Sequence, residues 1–275
     1  MSIIKVHGAS KIFRQKQGRR LLKDQVKAVV RRRQESGFYA LRNITFEVGR
    51  GESVAFIGAN GAGKSTLLAM LCGLAMPDEG TVEVDGPVAA LLELASGFHP
   101  DLTGRENVLL NAAFLGLSRK QALERFDAIV QFAELTEFID QPLRTYSSGM
   151  ILRLGFAVAV HCDPELVIVD EVLAVGDAAF QAKCMDKIRE IRKAGKAMLL
   201  VTHNPGMVLE LCDRAIWLHQ GELIKDGRSA ETLAAYLDFL KRPNADPIPE
   251  AVGVMNSGGE APRGKAGRAA SKTRG

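Results

Sequence analysis

Cysteine is scarce in this chain and nowhere paired. Its four cysteines, Cys72, Cys162, Cys184 and Cys212, are scattered, with no CxxC pair among them. That excludes a disulfide scaffold and leaves reduced, buried thiols in a cytosolic protein as the simplest reading. Long apolar runs are missing too. Uncharged stretches such as Ser65–Pro77 fall short of the roughly 20 apolar residues that a spanning helix needs. Met1–Phe13 lacks the apolar core of a signal peptide. No internal repeat is evident. His7, His99, His161 and His219 have no metal-ligand spacing and read as structural, and Trp217 in RAIWLH reads as core. No Ser-His-Asp set or paired glycosidase carboxylates are needed to explain any segment.

What is present is an ordinary globular composition. At roughly 100–200 residues per domain, 275 residues make one large domain or two small ones. Hydrophobic residues at 47% and charged residues at 25% exclude a wholly disordered or collagen-like chain. A chain of this length buries roughly three quarters of its unfolded surface, so the core needs no metal staple. The net charge of +4 conceals an asymmetry. Residues 11–33 hold ten Lys/Arg against one Asp, and residues 241–275 hold seven against three acids, which leaves residues 34–240 at −10. Two basic appendages therefore flank an acidic body, and basic segments suit nucleic acid, an anionic membrane surface or a partner protein.

From Arg242 onward Pro, Gly, Ala and charge dominate with no periodic apolar face, so 242–275 reads as a disordered basic tail. The body, 1–241, alternates strand and helix signals. Strand-type runs occur at Ile3–Val6, Ile44–Val48, Val54–Ile57, Thr81–Val84, Leu166–Val169, Ala197–Val201 and Ala215–Leu218. Helical segments are expected at Thr66–Leu74, Arg119–Leu135, Met150–His161, Ala179–Lys193 and Ala230–Leu240. In Arg119–Leu135, Leu123, Phe126, Ile129, Val130 and Ala133 fall on one face. Wholly apolar strands such as LVIV imply a parallel sheet buried on both faces. The expected class is α/β, with antiparallel strands near the N-terminus.

Gly58-Ala-Asn60-Gly61-Ala-Gly63-Lys64-Ser65-Thr66 matches G-x-x-x-x-G-K-[ST], between the strand SVAFI and the helix TLLAMLCGL. The glycines let backbone wrap a phosphate, and the helix N-terminus adds amide donors and partial positive charge. Lys64 reaches the β- and γ-phosphates and Ser65 ligates Mg²⁺. A second group, Asp170-Glu171, ends the strand Leu166–Val169, where ligands of parallel sheets collect. Asp170 suits Mg²⁺ through water and Glu171 suits polarising the attacking water. Tyr146-Ser147-Ser148-Gly149-Met150 opens a helix, as either a second anion site or a plain N-cap. His203, after the strand AMLLV, is placed to hydrogen-bond a γ-phosphate.

In this order and spacing the four motifs resemble the ATP-binding cassette (ABC) nucleotide-binding domain, from about Ile3 to Lys241. The resemblance implies a P-loop NTPase fold with a mainly parallel core sheet, an antiparallel β subdomain and a helical subdomain at about 95–162, with a basic insertion at about 11–37. It implies ATP and Mg²⁺ as cofactors and a head-to-tail homodimer, in which Ser147, Ser148 and Gly149 touch the ATP held by the opposite subunit. Tyr39, with Phe38 as the alternative, resembles the family's adenine-stacking aromatic. Glu93 occupies the place of the family's glutamine and so counts among the Mg²⁺ residues.

The variants YSSGM, LLELASGFHP and DEVLAVGD resemble the ATPases of polysaccharide and polyol-phosphate exporters, those serving capsule, O-antigen and teichoic acid. They imply an ATPase peripheral to the cytoplasmic face of the inner membrane, driving a separate polytopic permease. In length the chain resembles the short form of these ATPases, which is expected to lack the appended glycan-binding domain that some of them carry. Another ABC cargo, such as a lipid or drug, and a soluble ABC ATPase acting on nucleic acid are the alternatives. No nucleic-acid partner is expected. In 19–33, Leu22, Val26, Val29 and Val30 make one apolar stripe if the segment is helical, and its arginines and lysines suit an anionic membrane surface.

Overall fold

The computed structural model describes residues 1–14, 37–91, 94, 96–170 and 176–242. Most of the expected insertion and all but the first residue of the expected tail lie outside the described residues, as do Glu93 and Glu171. The ends of the insertion are strand. Strand β1 (Ser2–Arg14) and strand β2 (Gly37–Gly49) pair antiparallel up to Arg14 opposite Gly37, because Ile12 and Phe13 find partners in Tyr39 and Phe38.

Two sheets organise the fold. Strand β4 (Glu79–Val84) joins β1 and β2 in an antiparallel sheet of order β2-β1-β4. The second sheet has the order β5-β6-β7-β3-β8-β9, built from β3 (Ser53–Ile57), β5 (Val88–Ala90), β6 (Leu166–Val169), β7 (Ala197–Val201), β8 (Arg214–His219) and β9 (Glu222–Arg228). Its first five strands are parallel and β9 returns antiparallel. The expected α/β class and mixed sheets are therefore present. Strand β5 has only three residues, and β9, though seven long, reads ELIKDGR with only Leu223 and Ile224 apolar, so neither is announced by an apolar run.

Strand alternation between two covered faces explains why β6 and β7 are wholly apolar and β3 nearly so. Val54 and Phe56 face one core, shared with the antiparallel sheet and helix α1 (Lys64–Leu71). Ala55 and Ile57 face another, shared with helices α5 (Ala178–Lys193), α6 (Pro205–Leu211) and α7 (Ser229–Leu240). Both faces of a parallel sheet covered in this way leave no polar side. Phe46 and Phe56 meet edge to face at 5.4 Å and join the two sheets. Trp217 is buried, in contact with Tyr236 and Phe239. Cys162, Cys184 and Cys212 are buried, and desolvation pushes the Cys184 and Cys212 thiols up to about 12.

A third core lies among α2 (Gly104–Phe114), α3 (Arg119–Ala133) and α4 (Ser148–His161), which form the helical part expected at about 95–162. In α3 the buried stripe is Ala122, Phe126, Ile129, Val130 and Ala133. Leu123 is exposed instead, because each helical step turns the chain 100° and Ala122, not Leu123, is in phase with Phe126. Helices α2 and α3 open on complete capping boxes, Thr103 with Glu106 and Ser118 with Gln121.

Candidate nucleotide site

Three parallel strands deliver the site. Strand β3 runs into the 58–66 loop, β6 ends before Asp170, and β7 ends before Thr202 and His203. Since β7 pairs with both β3 and β6, the three strand ends lie side by side at one edge of the sheet, where ligands of such folds gather. The Thr202 hydroxyl accepts the Asn204 N–H at 3.1 Å, which turns His203 outward.

The loop between β3 and α1 is built on positive φ angles. Gly58 has φ 150° and Gly63 φ 103°. A Cβ at Gly58 would lie 2.2 Å from the Leu218 carbonyl oxygen, and one at Gly63 2.6 Å from that of Ala40. Glycine is therefore required at both positions by space as well as by φ. The hairpin of β8 and β9 buttresses the loop: the Gly221 N–H donates to the Ala62 carbonyl at 3.1 Å, and the Arg42 N–H to Gly221 at 2.8 Å.

Helix α1 starts directly from Gly63 with no side-chain cap, whereas α2 to α6 each carry one. Its first-turn amides and dipole thus face the loop and suit an anion. Lys64 is buried, and its Nζ donates to the carbonyls of Gly58 at 2.6 Å and Ala59 at 3.0 Å.

These elements enclose an open cleft of about 550 Å³. Asn60, Gly61, Gly63, Lys64, Ser65 and Thr66 line it, together with Asp170 and His203. The structure thus brings together most residues singled out from sequence. Ser65 and Asp170 add a hydroxyl and a carboxylate to the same wall, a hard-oxygen pair of the type Mg²⁺ takes alongside phosphate and water. Among the described residues no group of three or more His, Cys, Asp or Glu is placed to hold a metal ion.

Phe38 and Phe13 complete the wall, both more than half exposed. Tyr39 does not line the cleft. Adjacent strand residues point to opposite faces, and the Tyr39 ring instead lies under the Arg42 guanidinium at 4.7 Å. Phe13 gave no sequence signal, since only the pairing of β1 with β2 brings it opposite Phe38. Ser147, Ser148 and Gly149 also lie outside the cleft lining. Ser147 caps α4 by accepting the Met150 N–H at 3.2 Å, and both serines are exposed.

A family profile described as ABC transporter matches residues 41–174. The O-antigen export system ATP-binding protein RfbB of Klebsiella pneumoniae is 50% identical over 199 residues, 72% of this chain and 81% of that protein. The chain belongs to the ABC transporter family as an ATP-binding subunit. This ABC ATPase is also 42% identical to the teichoic acids export protein TagH of Bacillus anthracis, over 77% of its own length and 38% of the relative's. In fold it is similar to the ATP-binding cassette MJ0796, solved as a dimer in a post-hydrolysis state with ADP and Pi. That match has a TM-score of 0.63 at 25% identity, covering 82% of this chain and 98% of the other.

Proposed function

We propose that this ABC ATPase is the ATP-hydrolysing subunit of an exporter that carries a cell-surface polysaccharide across the inner membrane. The observation that carries the reading is the 50% identity to an O-antigen export ATPase across 81% of that protein, along a chain whose phosphate loop, Asp170 and His203 share one cleft.

Phosphoryl transfer to water asks mainly for positioning and charge neutralisation. Lys64 and the α1 amides hold the β- and γ-phosphates. Ser65 and Asp170 would hold Mg²⁺, which when bound would offset negative charge on the phosphate oxygens. His203 donates to the γ-phosphate, and Glu171, one residue beyond Asp170, orients the attacking water. Phe38, with Phe13 beside it, offers the adenine an aromatic face. The signature residues Ser148 and Gly149 stand outside their own chain's cleft and complete the site of a second copy, in a head-to-tail homodimer with two composite ATP sites.

The work is delivered to a separate permease. No helix among the described residues is long and apolar enough to cross a membrane. A second cavity, of about 310 Å³, opens between the core sheet and the helical part. Leu74 and Phe114 on its lining are well exposed, and this apolar cleft suits a helical segment of the permease. The +9 segment at 11–33 adds attraction to the anionic inner leaflet.

Deleting the gene tests the export reading: surface polysaccharide is lost, and the Lys64→Ala protein fails to restore it. A normal coat in the deletion strain overturns it. Mixing tests the dimer. Lys64→Ala and Ser148→Arg proteins, each inactive, regain ATPase activity together, since one composite site of the heterodimer is intact. Heterodimers that form without activity overturn the head-to-tail arrangement.

A further inference from the structure

The turn between β8 and β9 has two residues. His219 and Glu222 are register partners, so Gln220 and Gly221 alone connect the strands. Both have positive φ, 48° and 81°, as a two-residue turn matched to the twist of its strands requires. Gly221 uses both of its peptide groups on the nucleotide site. Its N–H donates to the Ala62 carbonyl of the phosphate loop at 3.1 Å, and its carbonyl accepts the Arg42 N–H of β2 at 2.8 Å.

Three backbone segments meet at Ala40. A Cβ at Gly221 would lie 2.7 Å from the Ala40 carbonyl oxygen and 3.3 Å from Leu41 Cα. A Cβ at Gly63, in the phosphate loop, would lie 2.6 Å from the same oxygen. The start of the loop closes on β8 in the same way, since a Cβ at Gly58 would lie 2.2 Å from the Leu218 carbonyl oxygen. Phe38 and Ala40, two residues apart on β2, share a face, and both line the cleft. The strand that carries the Phe38 ring, the loop that suits the phosphates and the turn therefore pack backbone against backbone. Such contact has no rotamer to adjust, so it holds a distance more tightly than side-chain packing does. The Arg42–Glu222 ion pair at 3.3 Å joins the same two strands, but it is exposed, and pairs of that kind contribute little. The tie rests on Gly221.

We propose that Gly221 is a positioning residue that fixes the adenine strand against the phosphate loop, so that the cleft binds base and triphosphate as one ligand. The proposal rests on the assignment of the adenine face to Phe38 above. Two subsites reinforce each other only when their spacing matches the ligand that joins them. Spacing held in advance also spares part of the ordering cost of binding. Gly221 supplies chemistry to neither subsite and sets the separation between them.

The test is the KM and kcat for ATP together with the inhibition constant of inorganic tripolyphosphate, which has the phosphates and no base. The proteins are wild type, Gly221→Ala, Phe38→Ala and the Gly221→Ala/Phe38→Ala double variant. Gly221→Ala is expected to raise the KM for ATP about tenfold, with kcat and the tripolyphosphate constant little changed. The double variant is expected to be no worse than Phe38→Ala, because a base held out of reach has no stacking left to lose. Gln220→Gly alters the same turn without placing an atom against Ala40 and leaves both constants near wild type. If Gly221→Ala fails to fold, one glycine inserted between Gln220 and Gly221 frees the turn without adding a side chain, and it is expected to show the same split. An unmoved KM for ATP, equal weakening of ATP and tripolyphosphate, or losses that multiply in the double variant each overturn the proposal while the adenine face at Phe38 stands. A wild-type KM in Phe38→Ala overturns that assignment, and the proposal with it.

Discussion

Phe13 and Phe38 are register partners across β1 and β2, and both rings line the cleft that holds the phosphate loop. Tyr39, the next residue, faces the other way against Arg42. Base–aromatic stacking is worth about 1–3 kcal/mol by alanine substitution. Phe38→Ala is therefore expected to raise the KM for ATP by about tenfold with kcat little changed, and Phe38→Trp to restore it. Tyr39→Ala loses a cation–π contact and leaves KM close to wild type. Steady-state kinetics on the four proteins checks the assignment. The reverse ranking would return the role to Tyr39.

Gly155 lies inside α4, where an added Cβ would sit 1.9 Å from the Leu94 carbonyl oxygen. Replacing a helical glycine by alanine ordinarily stabilises by up to ~1 kcal/mol. Here overlap with backbone outweighs propensity, and overpacking of this kind costs about 1–3 kcal/mol. Gly155→Ala is expected to lower the melting temperature by roughly 5 °C, measured by circular dichroism. A higher melting temperature would show that the backbone at Leu94 gives way.

Glu171 directly follows Asp170 at the end of β6. Glu171→Gln retains a hydrogen-bonding side chain of the same shape but loses the charge proposed to polarise water. Hydrolysis is expected to fall by about 10²–10⁴-fold while ATP still binds, so the protein accumulates as an ATP-holding dimer on gel filtration. Hydrolysis at near the wild-type rate would remove Glu171 from the mechanism.

Arg31, Arg32 and Arg33 belong to the basic segment 11–33. Each basic residue near an anionic membrane surface contributes about 1 kcal/mol, screened by salt. Changing all three to Glu is expected to release the protein from anionic vesicles at low ionic strength, read by flotation. The ATPase rate of the isolated subunit stays near wild type, because the nucleotide motifs are untouched. Undiminished vesicle binding by the triple variant refutes a membrane role for the segment.

The site was legible in sequence where chemistry demands a contiguous pattern. The 58–66 loop and the Asp170 and His203 strand ends each need a short apolar strand followed at once by the reactive residue, and β3, β6 and β7 supply it. The adenine face was less legible, because choosing between Phe38 and Tyr39 depends on strand phase, and Phe13 depends on a partner more than twenty residues away. Helix α2 escaped notice for a different reason. Its buried residues, Gly104, Asn107, Val108 and Ala112, are mostly small or polar and make no apolar stripe, yet the Thr103-x-x-Glu106 capping box announces its start. Helix α6 has only seven residues, with its signal in the Asn204–Pro205 pair that opens it.

The bare N-terminus of α1 has a consequence for the stability of the protein. With no side chain to satisfy its first amides, that turn is completed by whatever anion the loop holds. A ligand that binds only the folded chain adds RT ln(1 + [L]/Kd) to its stability, about 2.7 kcal/mol at a hundredfold excess over Kd. The isolated subunit is therefore expected to melt at a higher temperature with nucleotide in the loop than without it.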